Sequence, residues 1–311
     1  MGYTLLGYSH PAYAQSLAEF GRPRELRQSG GAFLERSIAG TSYSDAMGAY
    51  PLFACERWNY LAADLDSLGN RLVSFYAVLD PFCELDETAL RDCFPDLVLP
   101  FKTHFVIDFR QPLQVAEHHQ RNIRKAGGIE VQVTNNPSVW LGEWVRLYDN
   151  LIHRHQIGDI RRFSACAFSR QLQIPGMVAF RALHGGKTIG MLLFLIQNET
   201  VYYHLGAYSS EGYELKASFA LFAAAIEHFK SQDMRYLNLG SGAGMVDSPE
   251  DGLTRFKRGW ANTERTAYFC GRILNREVYA SITAARNIPE TTYFPAYRKG
   301  EFCKKQQETT A

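Results

Sequence analysis

The 311-residue sequence has no long hydrophobic run, so we expect no membrane-spanning helix. Its longest apolar stretches cover residues 191–196 and 217–226, and Ser218 interrupts the second. A helix that crosses a bilayer needs about 20 apolar residues. The first residues also lack a basic segment followed by an apolar one, so we predict no signal peptide.

Cysteine is scarce and scattered. The six cysteines stand at positions 55, 83, 93, 166, 270 and 303, and no two form a Cys-x-x-Cys pair. Such pairs are typical of zinc and redox sites, whereas scattered thiols in a chain of this size are typical of a reducing compartment. We therefore predict reduced structural thiols and a cytoplasmic location.

Net charge is close to zero. The sequence holds 33 Lys and Arg residues against 32 Asp and Glu residues, a formal charge of +1. This balance leaves no overall positive field for nonspecific nucleic-acid binding, although it is compatible with a local basic patch. With 46 % apolar and 13 % aromatic residues the chain can bury a sizeable core. At roughly 150 residues per domain, its length fits two domains.

The first half of the sequence has mixed patterns. Residues 1–45 are rich in Gly, Ser and Arg without a lasting period, which predicts an irregular segment. Helical spacing and alternation then predict several elements. These are helices at 52–69 and 113–126 and strands at 71–82, 101–110 and 129–134.

The second half has clearer patterns. Helices are predicted at 138–155, 164–174, 216–232 and 275–285, and strands at 177–184, 188–197, 201–208, 234–240 and 266–274. Hairpin-length connections join the first three of these strands into an antiparallel meander. The helix at 216–232 makes a crossover, so the strand behind it should run parallel to its neighbour. A polar loop is predicted at 209–215 and a Gly-rich loop at 241–252.

This order of elements matches the core of the GNAT acyltransferase fold, and two motifs narrow the resemblance. The first is RYLNLGSGAG followed by DGLTRFKRGW, at 235–244 and 251–260; the second is HHQRNIRKAGGIEVQV, at 118–133. Together they resemble the Fem-type branch of the superfamily, the FemAB-like and FemX-like aminoacyl or peptidyl transferases. The resemblance implies an α+β fold with a mixed sheet and two tandem GNAT-like halves. Residues 1–135 would form a degenerate first half, and residues 136–311 the acyltransferase half.

The resemblance also implies a catalytic lysine. In Fem-type enzymes a Phe–Lys pair lies in the acyl-donor site and the lysine stabilises the developing charge, which places these roles on Phe256 and Lys257. Acyl transfer to an amine passes through a tetrahedral oxyanion and needs a positive donor near that oxygen. The alternative is a surface charge beside a structural aromatic. Tyr203 and His204 are candidate acids or bases, and strand alternation directs only one of them to the cleft.

Separate residues are predicted for the two substrates. In the GNAT fold the helix after the meander points its N-terminus into the donor cleft, where free N–H groups suit a pyrophosphate. We assign this site to Tyr208, Ser210, Gly212 and Lys216. Arginine can grip an anionic acceptor bidentately. We assign that role to Arg121, Arg124, Arg161 and Arg162, with helix-dipole capping or a solvated loop as the alternatives.

The other histidines carry no predicted chemistry. His118 and His119 are adjacent on a polar helix and are predicted to face solvent. His153 and His155 fall at a helix end, where their rings diverge by about 200°. No set of nearby Cys or Glu ligands accompanies them, so we predict no metal site.

The expected reaction is acyl or aminoacyl transfer from a CoA thioester, acetyl-CoA in the simplest case, to an amine. The acceptor would be a sugar, an amino acid or a nucleotide-linked cell-envelope precursor. One alternative is an aminoacyl-tRNA-dependent transferase acting on a peptidoglycan precursor, which alone would require tRNA as a partner. The other is a non-catalytic GNAT-like ligand-binding module. We expect a monomer or a homodimer.

Overall fold

A computed structural model of the chain describes residues 5–69, 71–155, 160, 162–243 and 251–301. Its centre is one 11-stranded mixed sheet. The strands are β1 (Arg22–Glu25), β2 (Ala32–Ser37), β3 (Ser44–Gly48), β4 (Ser74–Val78), β5 (Leu97–Asp108), β6 (Glu130–Thr134), β7 (Met177–His184), β8 (Lys187–Gln197), β9 (Thr200–Tyr208), β10 (Tyr236–Gly240) and β11 (Thr263–Ile273).

Helices cover both faces of the sheet. They are α1 (Pro11–Ser16), α2 (Leu61–Leu68), α3 (Glu87–Cys93), α4 (Glu117–Lys125), α5 (Leu141–His155), α6 (Ala165–Gln171), α7 (Ser210–Glu214), α8 (Ala217–Ser231), α9 (Gly252–Arg258) and α10 (Arg276–Ala285). Short 3₁₀ turns lie at Gly7–Ser9, Trp58–Tyr60, Pro137–Trp140 and Ala296–Arg298. None of the helices in the described ranges has the length and apolarity needed to cross a membrane.

The strand order shows two wings joined in the middle. It runs β1-β2-β3-β4-β11-β5-β10-β9-β8-β7-β6, so β5 and β11 connect a wing of early strands to a wing of later ones. The predicted meander is confirmed, because β7, β8 and β9 pair antiparallel. The predicted parallel pair is confirmed between β9 and β10. The domain division at residue 135 stays a prediction. β6 lies before residue 135, in the predicted first half, but it pairs with β7, which lies in the predicted second half.

Alternating side chains divide the core between the two faces of the sheet. Along β8, Leu192 and Phe194 pack with α8 on one face, which we call the α8 face. Met191 and Leu193 pack with α5 on the other, the α5 face. Because successive residues of a strand point to opposite faces, this assignment shows which side chains can meet.

The prediction for residues 1–45 is wrong. This segment folds into a 3₁₀ turn, α1, the strands β1 and β2, and the first two residues of β3. It also buries Tyr13, Phe33 and Leu34 completely. The strands are only four to six residues long, which is too short for a lasting period in the sequence. Their pairing with each other and with β4 holds them in place.

Other elements also differ from the prediction. The helix expected from residue 52 begins only at Leu61, after an extended segment in which Phe53 bridges to Leu79. The polar loop at 209–215 contains the short helix α7. A helix, α9, also opens directly after the Gly-rich loop, where none was expected, and Asp251 caps it by accepting a hydrogen bond from the Thr254 N–H.

Candidate active site

The sheet opens between β9 and β10. The two strands pair only from Tyr236 opposite Thr200 to Asn238 opposite Tyr202. Beyond that point β10 shifts its register against β5. On β9 the register against β8 shifts at His204, which is an extra, unpaired residue. A bulge of this kind bends a strand away from its neighbour, so a cleft begins just past Tyr202.

Lys257 lies at this opening. It belongs to α9 and exposes only 6 % of its surface. Its Nζ donates a hydrogen bond to the carbonyl oxygen of Ser241 at 2.7 Å. The same Nζ lies 5.4 Å from the ring centre of Tyr203, the first residue of β9 beyond the paired segment. The lysine is therefore not the surface charge of the alternative interpretation.

The environment of Lys257 makes it a better acid. Burial lowers the pKa of its ammonium group to about 7, although the Asp251 carboxylate acts in the opposite direction. An ammonium group with a pKa near neutrality gives up its proton more readily than a solvated lysine. It is therefore suited to donating a strong hydrogen bond to a developing oxyanion.

Glycines let the loop after β10 approach Lys257 closely. Gly240 has a positive φ of 75°, and a Cβ there would lie 3.1 Å from the Lys257 Nζ. A Cβ on Gly242 would lie 2.0 Å from Thr254 Oγ1, so only glycine fits. The Asp251 carboxylate accepts from the N–H groups of Ala243 and Thr254 and ties the loop to the start of α9. Asp251 and Thr254 were not singled out from the sequence, although Asp is a common N-cap residue.

Aromatic side chains pack beside Lys257. The Phe256 ring lies 5.2 Å from Phe219 and from Phe222 and 6.1 Å from Trp260. Phe222 in turn lies 5.0 Å from Tyr203. These rings exclude water from the α8 face next to the lysine and account for the burial that lowers its pKa.

His119 belongs to the same cluster, so the prediction that it faces solvent is wrong. It is buried, and its Nε2 donates to the carbonyl oxygen of Phe256 at 2.9 Å. A Cβ on Gly259 would lie 2.2 Å from its ring, so the glycine admits it. Burial lowers the pKa of His119 and keeps it neutral. His118 is exposed, as predicted. The contacts of His119 with Phe219 of α8 and Phe256 of α9 cause the difference. The sequence of a polar helix gives no signal for these contacts.

His204 faces away from Lys257. Its ring lies on the α5 face, where Nδ1 accepts from the Tyr8 hydroxyl at 3.0 Å and Nε2 donates to Gln171 Oε1 at 3.3 Å. Burial lowers the pKa of His204 to about 3, so it stays neutral. Tyr203 and His204 were the two candidate acids or bases, and the one that meets Lys257 at the cleft is Tyr203, not His204.

The predicted donor residues lie together around α7. Ser209 accepts from the N–H of Gly212 at 3.0 Å and so caps α7. A Cβ on Gly212 would meet the carbonyl oxygen of Ile189 at 2.0 Å, so this turn packs directly on β8. Ser210 and Lys216 are exposed, and Lys216 adopts a left-handed conformation just before α8 begins. Tyr208 packs on the α8 face.

The predicted acceptor arginines are not brought together. Arg121 and Arg124 are exposed on α4, which packs against α8. Arg162 precedes Phe163, which packs on the α5 face 6.4 Å from His204. Arg161 lies outside the described residues. Across the described residues, no group of three or more His, Cys, Asp or Glu side chains could hold a metal ion.

Comparison with known proteins identifies the class. Residues 114–258 match the family model described as an acetyltransferase (GNAT) domain, a span that contains the opening, the Gly-rich loop and Lys257. This segment belongs to the GNAT family, so the protein carries a GNAT acyltransferase domain. A search of curated proteins found no match.

Solved structures share the fold over most of the chain. FemX is 14 % identical with a TM-score of 0.64, over 87 % of this chain and 93 % of its own. The C-terminal domain of a lysylphosphatidylglycerol synthetase from Agrobacterium fabrum is 13 % identical with a TM-score of 0.60, over 90 % and 92 %. L-PGS from Bacillus licheniformis is 14 % identical with a TM-score of 0.56, over 93 % and 100 %. The expected α+β GNAT-like fold of Fem type is confirmed.

The buried charge of Lys257 predicts a pH-dependent stability. Its pKa of about 7 in the folded state is below the ordinary value of 10.5, so between these values the unfolded chain binds more protons and stability rises with pH. Lys257→Met removes this effect. We expect the variant to gain stability over the wild type at pH 7 and to lose that gain by up to about 1.4 kcal/mol per pH unit toward pH 10. Denaturant unfolding of both proteins at several pH values measures this change in relative stability. A difference in unfolding free energy that stays constant with pH would contradict the prediction.

Proposed function

We propose that this protein transfers an acyl group from a CoA thioester to an amine on a small-molecule or nucleotide-linked precursor of the cell envelope. The observation that carries the proposal is the position of Lys257. Its ammonium group is buried at the mouth of the cleft between β9 and β10, beside Phe256 and Tyr203. A solvated surface lysine would have neither this burial nor the bond to Ser241.

The donor is proposed to lie along the opening of the sheet. Past Tyr202 the edge of β9 is no longer paired with β10, so its backbone groups are available to an extended pantetheine chain. The phosphates would lie at the N-terminus of α8, a 15-residue helix whose first N–H groups and dipole favour negative charge. Tyr208, Ser210, Gly212 and Lys216 surround this helix end.

Lys257 is proposed to stabilise the tetrahedral intermediate. The amine nitrogen attacks the thioester carbon, and the oxygen that becomes negative accepts a hydrogen bond from the Lys257 ammonium. The C–S bond then breaks, and the amine's proton leaves with the CoA thiol. His204 takes no part, because its two nitrogens are engaged on the opposite face.

The acceptor is proposed to be anionic and to bind exposed arginines. Arg121 and Arg124 offer such a grip on the α8 face, and Arg162 offers one near the α5 face. Because the sheet separates them, one acceptor group can use only one of the two sets.

A second candidate is transfer from an aminoacyl-tRNA. It is favoured by the fold shared with FemX and with a lysylphosphatidylglycerol synthetase over about nine-tenths of the chain. The Phe256–Lys257 pair suits either donor, because both reactions pass through the same kind of oxyanion.

Two measurements on the purified protein test the proposal. Acetyl-CoA should raise the melting temperature, and a panel of amino sugars and nucleotide-linked amino sugars should contain an acceptor that releases free CoA thiol. Lys257→Met serves as the control for release. Transfer from an aminoacyl-tRNA without thiol release would favour the second candidate. Neither activity, with acetyl-CoA still bound, would indicate a non-catalytic binding module.

A further inference from the structure

The Tyr203 ring occupies the α8 face at the point where the sheet opens. Tyr203 is the first residue of β9 beyond the segment paired with β10. It is only partly buried, so a bound molecule can reach it. Its ring centre lies 5.0 Å from that of Phe222 on α8 and 5.7 Å from that of Phe194 on β8. Contacts with two neighbouring elements therefore hold the ring in position.

A glycine lets this ring lie along the strand. Gly206 returns to the α8 face, because His204 and Leu205 both lie on the α5 face. A Cβ on Gly206 would lie 2.4 Å from the Tyr203 hydroxyl oxygen and 2.8 Å from Leu192 Cδ2. The tyrosine side chain thus covers β9 from residue 203 to residue 206. This is the first part of the edge that β10 leaves unpaired.

The ring is close to the carbonyl group of the proposed reaction. Its centre lies 5.4 Å from the Lys257 Nζ. An oxyanion that accepts a hydrogen bond from this ammonium group lies about 2.8 Å from Nζ, and the carbon of the same carbonyl is one bond further away. An acyl chain that extends from this carbon over the α8 face therefore meets the Tyr203 ring close to its first carbon atom.

The α5 face is polar at the same level of the sheet. His204 is hydrogen-bonded to the Tyr8 hydroxyl and to Gln171, and the Tyr202 hydroxyl donates to the Asp80 carboxylate at 2.7 Å. All five side chains are buried, so an alkyl chain placed among them would separate hydrogen-bonded partners, which is costly. The α8 face, whose side chains here are aromatic and aliphatic, is therefore the side that suits an alkyl chain.

We infer that Tyr203 limits the transferred acyl group to about the size of acetyl. A methyl group beside the reacting carbonyl can contact the ring, whereas an alkyl chain of several carbons needs the space that the ring fills. The inference rests on the proposed function, since it concerns the group that this reaction transfers. If the donor is an aminoacyl-tRNA, the same ring limits the side chain of the amino acid.

Replacement of the ring tests this limit. One methylene that a pocket cannot admit changes kcat/KM by about 10- to 200-fold, so the wild type should prefer acetyl-CoA to hexanoyl-CoA by about 100-fold. Tyr203→Ala gives the longer chain room and should lower this ratio about tenfold. Both donors are compared on the same protein preparation, so a loss of folded protein leaves the ratio unchanged. An unchanged ratio in Tyr203→Ala would overturn the inference.

Two controls separate the volume of the ring from other effects. Tyr203→Phe keeps the ring and removes the hydroxyl group, so it should keep the wild-type ratio. Tyr60→Ala removes a tyrosine that is 43 % exposed in the 3₁₀ turn at Trp58–Tyr60, and it should change neither rate. A ratio that falls as far in Tyr203→Phe as in Tyr203→Ala would assign the selectivity to the hydroxyl group and overturn the inference.

The choice of donor separates this inference from the proposed function. Thiol release from acetyl-CoA and hexanoyl-CoA at equal rates in the wild type would overturn the inference and leave the CoA proposal intact. If no CoA thioester is used, the comparison is repeated with alanyl-tRNA and leucyl-tRNA. A preference for alanyl-tRNA that Tyr203→Ala removes would uphold the inference while the CoA proposal fails. Equal use of the two tRNAs by the wild type would overturn both.

Discussion

Lys257→Ala should lower kcat by about 10²–10³ while the Kd of the acyl donor barely changes. This is the usual cost of losing one oxyanion donor that acts mainly in the transition state. The Lys257 Nζ is buried beside Tyr203 and bonded to the carbonyl oxygen of Ser241, which holds this hydrogen-bond donor in one position at the opening of the sheet. Steady-state kinetics with saturating donor, together with calorimetric donor binding, measures the two quantities separately.

Lys257→Met distinguishes charge from packing. Methionine keeps most of the apolar stem next to the aromatic cluster but cannot donate a hydrogen bond, so it should be as inactive as alanine. Arg258→Met is the matched control, because Arg258 is the next residue on α9 and its side chain is exposed. Full activity of Lys257→Met would remove this lysine from the mechanism. A raised donor Kd with unchanged kcat would assign it to the donor's phosphates.

The later wing of the sheet could be predicted from the sequence because its elements are long and regular. Strands β8 and β9 have eleven and nine residues, and α5 and α8 have fifteen each. Elements of this length contain enough residues for their periodic pattern to be recognised in the sequence. The first wing is made of short strands that are held in place by pairing with neighbouring strands. The local sequence pattern does not predict this pairing.

The roles of the site residues stay predictions, but two of their placements differ from what the sequence suggested, for physical reasons. The resemblance pointed to Phe256 and Lys257, and the glycines at 240 and 242 agree with the close approach of loop and helix. The bulge at His204 places both His204 and Leu205 on the α5 face, a deviation from alternation that spacing cannot reveal. The burial of His119 depends on the tertiary contacts of α4 with α8 and α9. The sequence of a polar helix, in which the residues on either side of His119 are exposed, does not predict such contacts.

The rate should fall as pH rises above 7. The proposed role requires the protonated ammonium group of Lys257, whose pKa burial lowers to about 7. Above that value the protonated fraction falls about tenfold per pH unit, so kcat at saturating donor and acceptor should be about 100-fold lower at pH 9 than its plateau. An acceptor whose amine has a low pKa keeps the acceptor's own titration outside this range.

The direction of the pH change separates two mechanisms. If neutral Lys257 instead accepts the amine's proton as a general base, kcat rises through pH 7 and levels off above it. In Lys257→Met the residual rate should no longer change with pH near pH 7, whether the wild-type rate falls or rises there. The reason is that this variant has no titrating group at position 257. A falling limb that survives in Lys257→Met would assign it to another group and contradict the oxyanion role. Denaturant unfolding of the wild type over the same pH range checks that a loss of rate is not due to unfolding.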